Sequence, residues 1–136
     1  TKKSSCISKL EKDFPKSLTV INFTNNLQKI IKQSKFGLCS GGITTYEFAR
    51  LKTPFGIICQ YQHQQFTAKE WEKKHYAINL GNPTKQLEKK IENFLLNLIN
   101  NQFNFKMKKN LIDDLGSSRV ANEILKSFKI NCKKLN

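Results

Sequence analysis

Arginine is almost missing from this chain. Of its 24 basic residues only Arg50 and Arg119 are arginine, and arginine is the side chain that forks onto phosphates and reads base edges. A net charge of +14 invites a nucleic-acid partner through counterion release. The lysines, however, are scattered among many asparagines, as on any solvated face. Specific nucleic-acid binding is disfavoured, and a non-enzymatic basic module for nucleic acid or another polyanion stays only as a rival reading. Cysteine is scarce as well. Cys6, Cys39, Cys59 and Cys132 contain no Cys-x-x-Cys pair and no histidine at zinc-ligand spacing, so no metal is expected. Cys39 and Cys59 sit inside apolar runs and read as core thiols. His63 and His75 are isolated, and no Ser/His/Asp or Cys/His order points to a nucleophile. Catalytic residues are therefore unassigned, and no cofactor is expected. No apolar run approaches the ~20 residues of a membrane span, and no apolar signal region follows the Thr-Lys-Lys-Ser opening. The expectation is a soluble, cytoplasmic chain without a membrane span.

What is present is a globular composition. With 38% hydrophobic and 25% charged residues in 136, the chain fits one domain with a real core. Its most informative stretch is Phe36–Glu47, Phe-Gly-Leu-Cys-Ser-Gly-Gly-Ile-Thr-Thr-Tyr-Glu. An apolar run of strand character breaks at Ser40-Gly41-Gly42 and resumes as Ile43, Tyr46, Phe48, Ala49 and Leu51, an apolar face at helical spacing. The spacing predicts strand, glycine turn, helix. The first N–H groups of such a helix have no intrahelical partner, and its dipole is positive there, which suits a phosphate. Gly41 and Gly42 let a ligand approach the backbone, and Ser40, Thr44 and Thr45 supply hydroxyls. Glu47, one turn beyond Ile43, is too acidic for a phosphate and suited to accept from ribose hydroxyls. Glycine turns are common, so these residues alone leave an ordinary strand-to-helix turn equally open.

The remainder alternates. Ile7, Leu10 and Phe14 predict a short helix stopped by Pro15. Leu18–Phe23, β-branched and apolar, predicts a buried strand. Thr24-Asn25-Asn26 offers an N-cap to a helix bearing Leu27, Ile30 and Ile31. Lys52-Thr53-Pro54 ends the next helix, and Phe55–Cys59 predicts a third strand. The amide-rich Gln60–Gln65 follows at that strand's carboxyl end, where open α/β sheets bind ligands. Phe66–Lys74 predicts a helix with Trp71 inside, and Tyr76–Leu80 a fourth strand. Leu87, Ile91, Phe94, Leu95, Leu98 and Ile99 give the strongest helical pattern in the chain. After a lysine-rich connection (Lys106, Lys108, Lys109), Val120, Ala121, Ile124, Leu125 and Phe128 share one face of a last helix. Ser117 or Ser118 is the expected cap, and that N-terminus is a second, weaker anion candidate. Strands alternating with helices through short loops imply a doubly wound α/β domain, a parallel sheet with helices on both faces.

Ser40-Gly41-Gly42-Ile43-Thr44-Thr45-Tyr46-Glu47, continuing through Phe48-Ala49-Arg50-Leu51-Lys52-Thr53-Pro54, resembles the donor-nucleotide signature of the MurG-like GT-B glycosyltransferases. It is closer still to the sugar-nucleotide hydrolases of pseudaminic acid biosynthesis, which act on UDP-diacetamido-trideoxy-altropyranose, and to the related spore-coat polysaccharide proteins. The similarity runs from about Leu18 through His63-Gln64 to Asp113-Asp114-Leu115-Gly116-Ser117-Ser118-Arg119-Val120. It implies a Rossmann-like GT-B C-terminal-type domain and a UDP-sugar ligand. The backbone of Thr24 would meet the uracil edge, and Ser40, Gly41, Gly42, Ile43 and Thr44 would surround the diphosphate. Glu47 would take the ribose, and His63, Gln64 and Gln65 would face the phosphates or the sugar. Two positions depart from the pattern: Tyr61-Gln62 stands where Asn-Glu is frequent, and Asp114-Leu115-Gly116 where Asp-Gly-x-Gly is usual.

The resemblance implies an N-terminal domain with the water-activating residue, followed by two strands of the nucleotide domain that precede the counterpart of Leu18 in the chain and lie, in the family's order across the sheet, between the counterparts of Leu18–Phe23 and Phe36–Ser40. Neither is found in residues 1–136, which are expected to form one UDP-sugar-binding domain, as a fragment, a rearranged sheet or a half-enzyme completed by a missing N-terminal domain or partner subunit. The leading expectation is the donor half of a hydrolase that releases UDP in surface-polysaccharide or nonulosonic acid biosynthesis, inactive alone. The alternative is the nucleotide-binding part of a UDP-sugar glycosyltransferase.

Overall fold

The computed structural model of the chain describes residues 5–103, 105–107 and 111–133. Three parallel strands form its sheet in the order β1 (Gly37–Ser40), β2 (Phe55–Ile58), β3 (Ala77–Gly81). Gly37 pairs with Phe55, and Phe55 with Ala77. The helices among the described residues are α1 (Ser5–Asp13), α2 (Leu27–Gln33), α3 (Thr44–Leu51), α4 (Gln64–Lys73), α5 (Leu87–Ile99) and α6 (Gly116–Lys133). The two crossovers, β1-α3-β2 and β2-α4-β3, pack α3 and α4 on one side of the sheet. A parallel ladder requires such crossovers, because a tight hairpin can join only antiparallel strands.

Side chains alternate across the pleat, and the two faces are recognisable from their neighbours. A Cβ on Gly37 would strike the Phe48 ring of α3, and Phe48 stacks on Phe55 at 5.3 Å. Trp71 of α4 meets Phe55, Tyr46 and Tyr76 with ring centroids 6.2, 5.3 and 5.6 Å apart. Phe55, Ile57 and Cys59 are fully enclosed on this face. On the other face a Cβ on Gly56 would meet Leu38, Leu80 and the Phe94 ring of α5. Helices thus cover both faces of a parallel sheet, the α/β architecture read from the alternation.

Chain termini of the elements are fixed by specific bonds. Lys52 ends α3 in the left-handed region, φ 57°, with the Thr53 amide donating to Phe48 O at 3.1 Å, in the manner of a Schellman end. The buried Thr53 hydroxyl then donates to Ile31 O at 3.0 Å, tying α2 to the end of α3. His75, φ 59°, ends α4 in the same way and delivers Tyr76 to the core.

Three expectations are corrected. Leu18–Phe23 is not a strand; it is irregular, and Phe23 is 81% exposed. β-branched residues favour a pleated surface only where neighbouring strands and a packed face supply it, and this segment has neither. Gln64 and Gln65 belong to α4, which starts earlier than Phe66; glutamine is a good helix former. Ser117 and Ser118 lie inside α6, whose entry is instead held by the Asp113 carboxylate accepting from the Leu115 amide at 3.1 Å. Of the lysine-rich connection, Lys108 and Lys109 fall outside the described residues. No helix among the described residues is long and apolar enough to cross a membrane.

Candidate functional site

Both crossover helices begin at the carboxyl edge of the sheet, and they begin side by side. β1 ends at Ser40, Gly41 closes the turn, and a Cβ there would lie 2.7 Å from Gln64 Cβ at the start of α4. Only glycine allows this approach. Gly42 is the opposite case: the nearest atom to a Cβ at that position would be Ser40 Oγ, 3.8 Å away. The first turn bonds are Thr45 N–H to Gly42 O at 3.2 Å and Tyr46 N–H to Ile43 O at 2.9 Å. The buried Thr45 hydroxyl also donates to Gly42 O, at 2.7 Å, and fixes the turn from beneath. The amides of Gly42, Ile43 and Thr44 precede these bonds, at the positive end of the α3 dipole. Ile43, 83% exposed, leaves the turn uncovered.

Glu47 lies in the first turn of α3 and lines a cavity of about 380 Å³ with Gln28, Tyr46, Arg50, Leu51, Ile112, Asp113 and Asp114. Arg50 donates through Nε and Nη2 to Asp114, and Arg119 through both Nη atoms to Asp113 at 2.9 Å. The hydrogen bonds from Arg119 hold the Asp113 carboxyl at about 2, and those from Arg50 lower that of Asp114. Both aspartates are therefore ionised at neutral pH. With Glu47 they put three carboxylates beside one cavity, against the guanidiniums of Arg50 and Arg119. Asp113 and Asp114 are each matched by a guanidinium, and a carboxylate at such a cavity can only accept hydrogen bonds.

The remaining sequence-predicted residues divide. Thr24 accepts from the Asn26 amide at 3.0 Å, ordering the approach to α2. Gln64 is buried, and its Oε1 accepts from the Gln60 amide at 2.9 Å; it is part of the floor under Gly41. Gln65 donates to Asn82 and accepts from Asn79, linking α4 to the end of β3. His63 is exposed beside Tyr61 in the β2–α4 loop. Sequence reasoning missed Gln28, Arg50 and Asp114 as neighbours of Glu47. Arg50, Asp113, Asp114 and Arg119 fall within the stretches that carry the resemblance, but local spacing assigns them no role beside Glu47.

Fold and site together define an α/β domain that presents two adjacent helix N-termini at the carboxyl edge of a parallel sheet. Residues 2–124 match the model of the glycosyltransferase family 28 C-terminal domain, and the chain belongs to that family. It is also similar to the spore coat polysaccharide biosynthesis protein SpsG of Bacillus subtilis (strain 168), at 32% identity over 62 residues, 46% of this chain and 18% of that protein. The matched region is thus less than a fifth of that relative's length. No solved structure matches the chain.

Proposed function

We propose that this domain binds the UDP part of a nucleotide-sugar and serves as the donor half of an enzyme that releases UDP in surface-polysaccharide or nonulosonic acid biosynthesis. The amides of Gly42, Ile43 and Thr44 hold the diphosphate, with Ser40 and Gly41 shaping the turn, and Glu47 accepts from the ribose hydroxyls. The Thr24 backbone meets the base, and His63 and Gln65 face the phosphates or the sugar above the floor made by Gln64. Preorganised N–H donors stabilise charge as it develops on the UDP leaving group. The observation that carries this reading is the pairing of an open glycine turn with a carboxylate-walled cavity at Glu47.

Hydrolysis by attack of water at the anomeric carbon is the leading chemistry, on the resemblance to sugar-nucleotide hydrolases. The family match favours transfer as the second reading. In either case the reacting group comes from a second domain or a partner subunit. Apolar residues that the core leaves in solvent on α1 (Leu10), on the 18–23 segment (Ile21, Phe23) and on α6 (Ile124, Leu125, Phe128) support that division. Cys6, Cys39 and Cys59 are free thiols, which suits the reducing cytoplasm.

Titrating UDP into labelled protein tests the assignment: amide shifts at Gly42, Ile43, Thr44 and Glu47 are expected. Glu47→Ala is expected to weaken UDP about tenfold to a hundredfold, the worth of hydrogen bonds to a charged group, with little salt dependence. Unmoved amides at the turn, or an affinity indifferent to Glu47 and falling steeply with salt, would replace this reading with polyanion binding.

A further inference from the structure

Lysines that are scattered along the sequence are gathered by the fold at one edge of the sheet. β1, β2 and β3 are parallel, so their amino ends share an edge. The connections that reach it are 34–36, 52–54, 74–76 and, after α5, 100–103 and 105–107. They carry Lys35, Lys52, Lys74, His75 and Lys106, all exposed, and no aspartate, glutamate or arginine. Lys73, the last residue of α4, joins Lys74, His75 and Lys106 around one cavity of about 290 Å³. The connections at the carboxyl edge, 41–43, 59–63 and 82–86, carry only Lys85. Lys74 is answered by Glu70 at 3.2 Å. Among the described residues no carboxylate pairs with Lys35, Lys52, Lys73 or Lys106. Lysines at helix ends complement the dipole, which accounts for Lys52 and Lys73; Lys35 and Lys106 lie outside any helix.

Apolar side chains open at the same edge. Phe36, Pro54, Leu98, Phe103 and Phe105 line a cavity of about 500 Å³ beside Lys35. Phe94 meets Phe36 and Phe103 with ring centroids 6.3 and 5.6 Å apart, and Phe103 meets Phe105 at 5.5 Å, so this wall is anchored in the core. Ile99 lines the cavity too and is 73% exposed. The Lys106 amide donates to His75 O at 3.1 Å, which joins the aromatic wall to the basic cavity at β3. Ammoniums beside half-buried rings and a bare isoleucine suit anionic headgroups and the acyl boundary beneath them. A nucleic acid would use the charge but not the apolar wall, and arginine, the side chain of base readout, is missing from these connections. We propose that the amino edge of the sheet docks on an anionic membrane surface, with the lysines on lipid headgroups and Ile99 at the acyl boundary. No helix among the described residues can cross a bilayer, so the contact is superficial and salt weakens it. The glycine turn, at the opposite edge, then faces water. This proposal does not depend on the UDP reading.

Cosedimentation with vesicles of phosphatidylcholine, with and without phosphatidylglycerol, tests it. The chain is expected to bind only the vesicles that contain phosphatidylglycerol, and to leave them as salt is raised. Lys35→Glu and Lys106→Glu are each expected to lower the partition by about fivefold or more. Lys85→Glu, the same change of charge at the other edge, is expected to stay within about twofold. Ile99→Ser is expected to lower it about three- to tenfold, as apolar surface is lost from the contact. Near-ultraviolet dichroism like that of the wild type shows that each variant is folded, and Lys106→Gln replaces Lys106→Glu if the latter is not. No binding to either vesicle, or equal binding to both, refutes the proposal. Equal losses from Lys85→Glu and Lys106→Glu would assign the attraction to the charge of the whole chain and refute it as well. Retention of duplex DNA through Lys35 and Lys106, with vesicle binding indifferent to Ile99→Ser, would make this edge a polyanion surface instead.

Discussion

Gly41 and Gly42 are neighbours with opposite surroundings. A methyl at position 41 would come 2.7 Å from Gln64 Cβ and 3.2 Å from Gln64 O, whereas at position 42 nothing lies closer than 3.8 Å. Gly41→Ala is expected to cost about 1–3 kcal/mol through overpacking, seen as a lower melting temperature. Gly42→Ala is expected to melt like the wild type and to lose UDP affinity, because its methyl stands where a phosphate would approach the backbone. Thermal melts and a UDP titration on the two variants separate the roles; equal melting would remove the packing argument for Gly41. The sequence shows both glycines as one turn. Which of them packs and which opens depends on Gln64, a residue of the next helix, and local spacing carries no information about that contact. Gln64 shows the same limit from the other side. An amide in a polar run reads as a ligand contact, yet here it is buried with its oxygen on the Gln60 amide.

Between elements, two arginine–aspartate pairs fasten the start of α6 to the rest. Arg50 of α3 grips Asp114, and Arg119 of α6 grips Asp113. Both carboxyl groups titrate below their ordinary value of 3.8, Asp113 at about 2, with the arginine hydrogen bonds as the largest cause. A depressed folded-state pKa means that the contribution is complete above the unfolded value and is lost as pH falls through the folded one. The clamp should therefore hold at pH 5 and open between about pH 4 and pH 2, followed by the Leu115 and Arg119 amide resonances. All four side chains are solvent-exposed, so salt screens the pairs. Asp114→Asn is expected to loosen the Ile112–Leu115 segment at neutral pH without unfolding the sheet; unchanged amide resonances there would show that the clamp does not order it. At this scale periodic helices are legible, as Leu87–Ile99 shows, because a 3.6-residue pattern is written within the element itself. Leu18–Phe23 is not legible, because a strand exists only by virtue of its neighbours.

At the scale of the whole molecule, the alternation of apolar strands and amphipathic helices is enough to specify parallel pairing and helices on both faces, since few other connections are possible. The reach of the core is not specified in the same way. Val120, Ile124, Leu125 and Phe128 repeat at helical spacing like any core-facing stripe, yet all four are exposed on α6. The same holds for Ile7 and Leu10 on α1. Periodicity records that a face is apolar, and says nothing about which surface meets it.

None of the described backbone–backbone hydrogen bonds involves residues 19–25, and the stretch is irregular with bends at Asn22 and Asn25, so this ribbon is open to a protease cleft. Chymotrypsin should cut after Phe23 well before it reaches Phe55 or Trp71, which the folded sheet encloses. The large fragment, from Thr24 onward, keeps α2, all three strands and the glycine turn. Its mass in a timed digest is expected to persist, and its near-ultraviolet dichroism to match that of the uncut chain. Simultaneous loss of both would mean that the ribbon is a structural member of the domain.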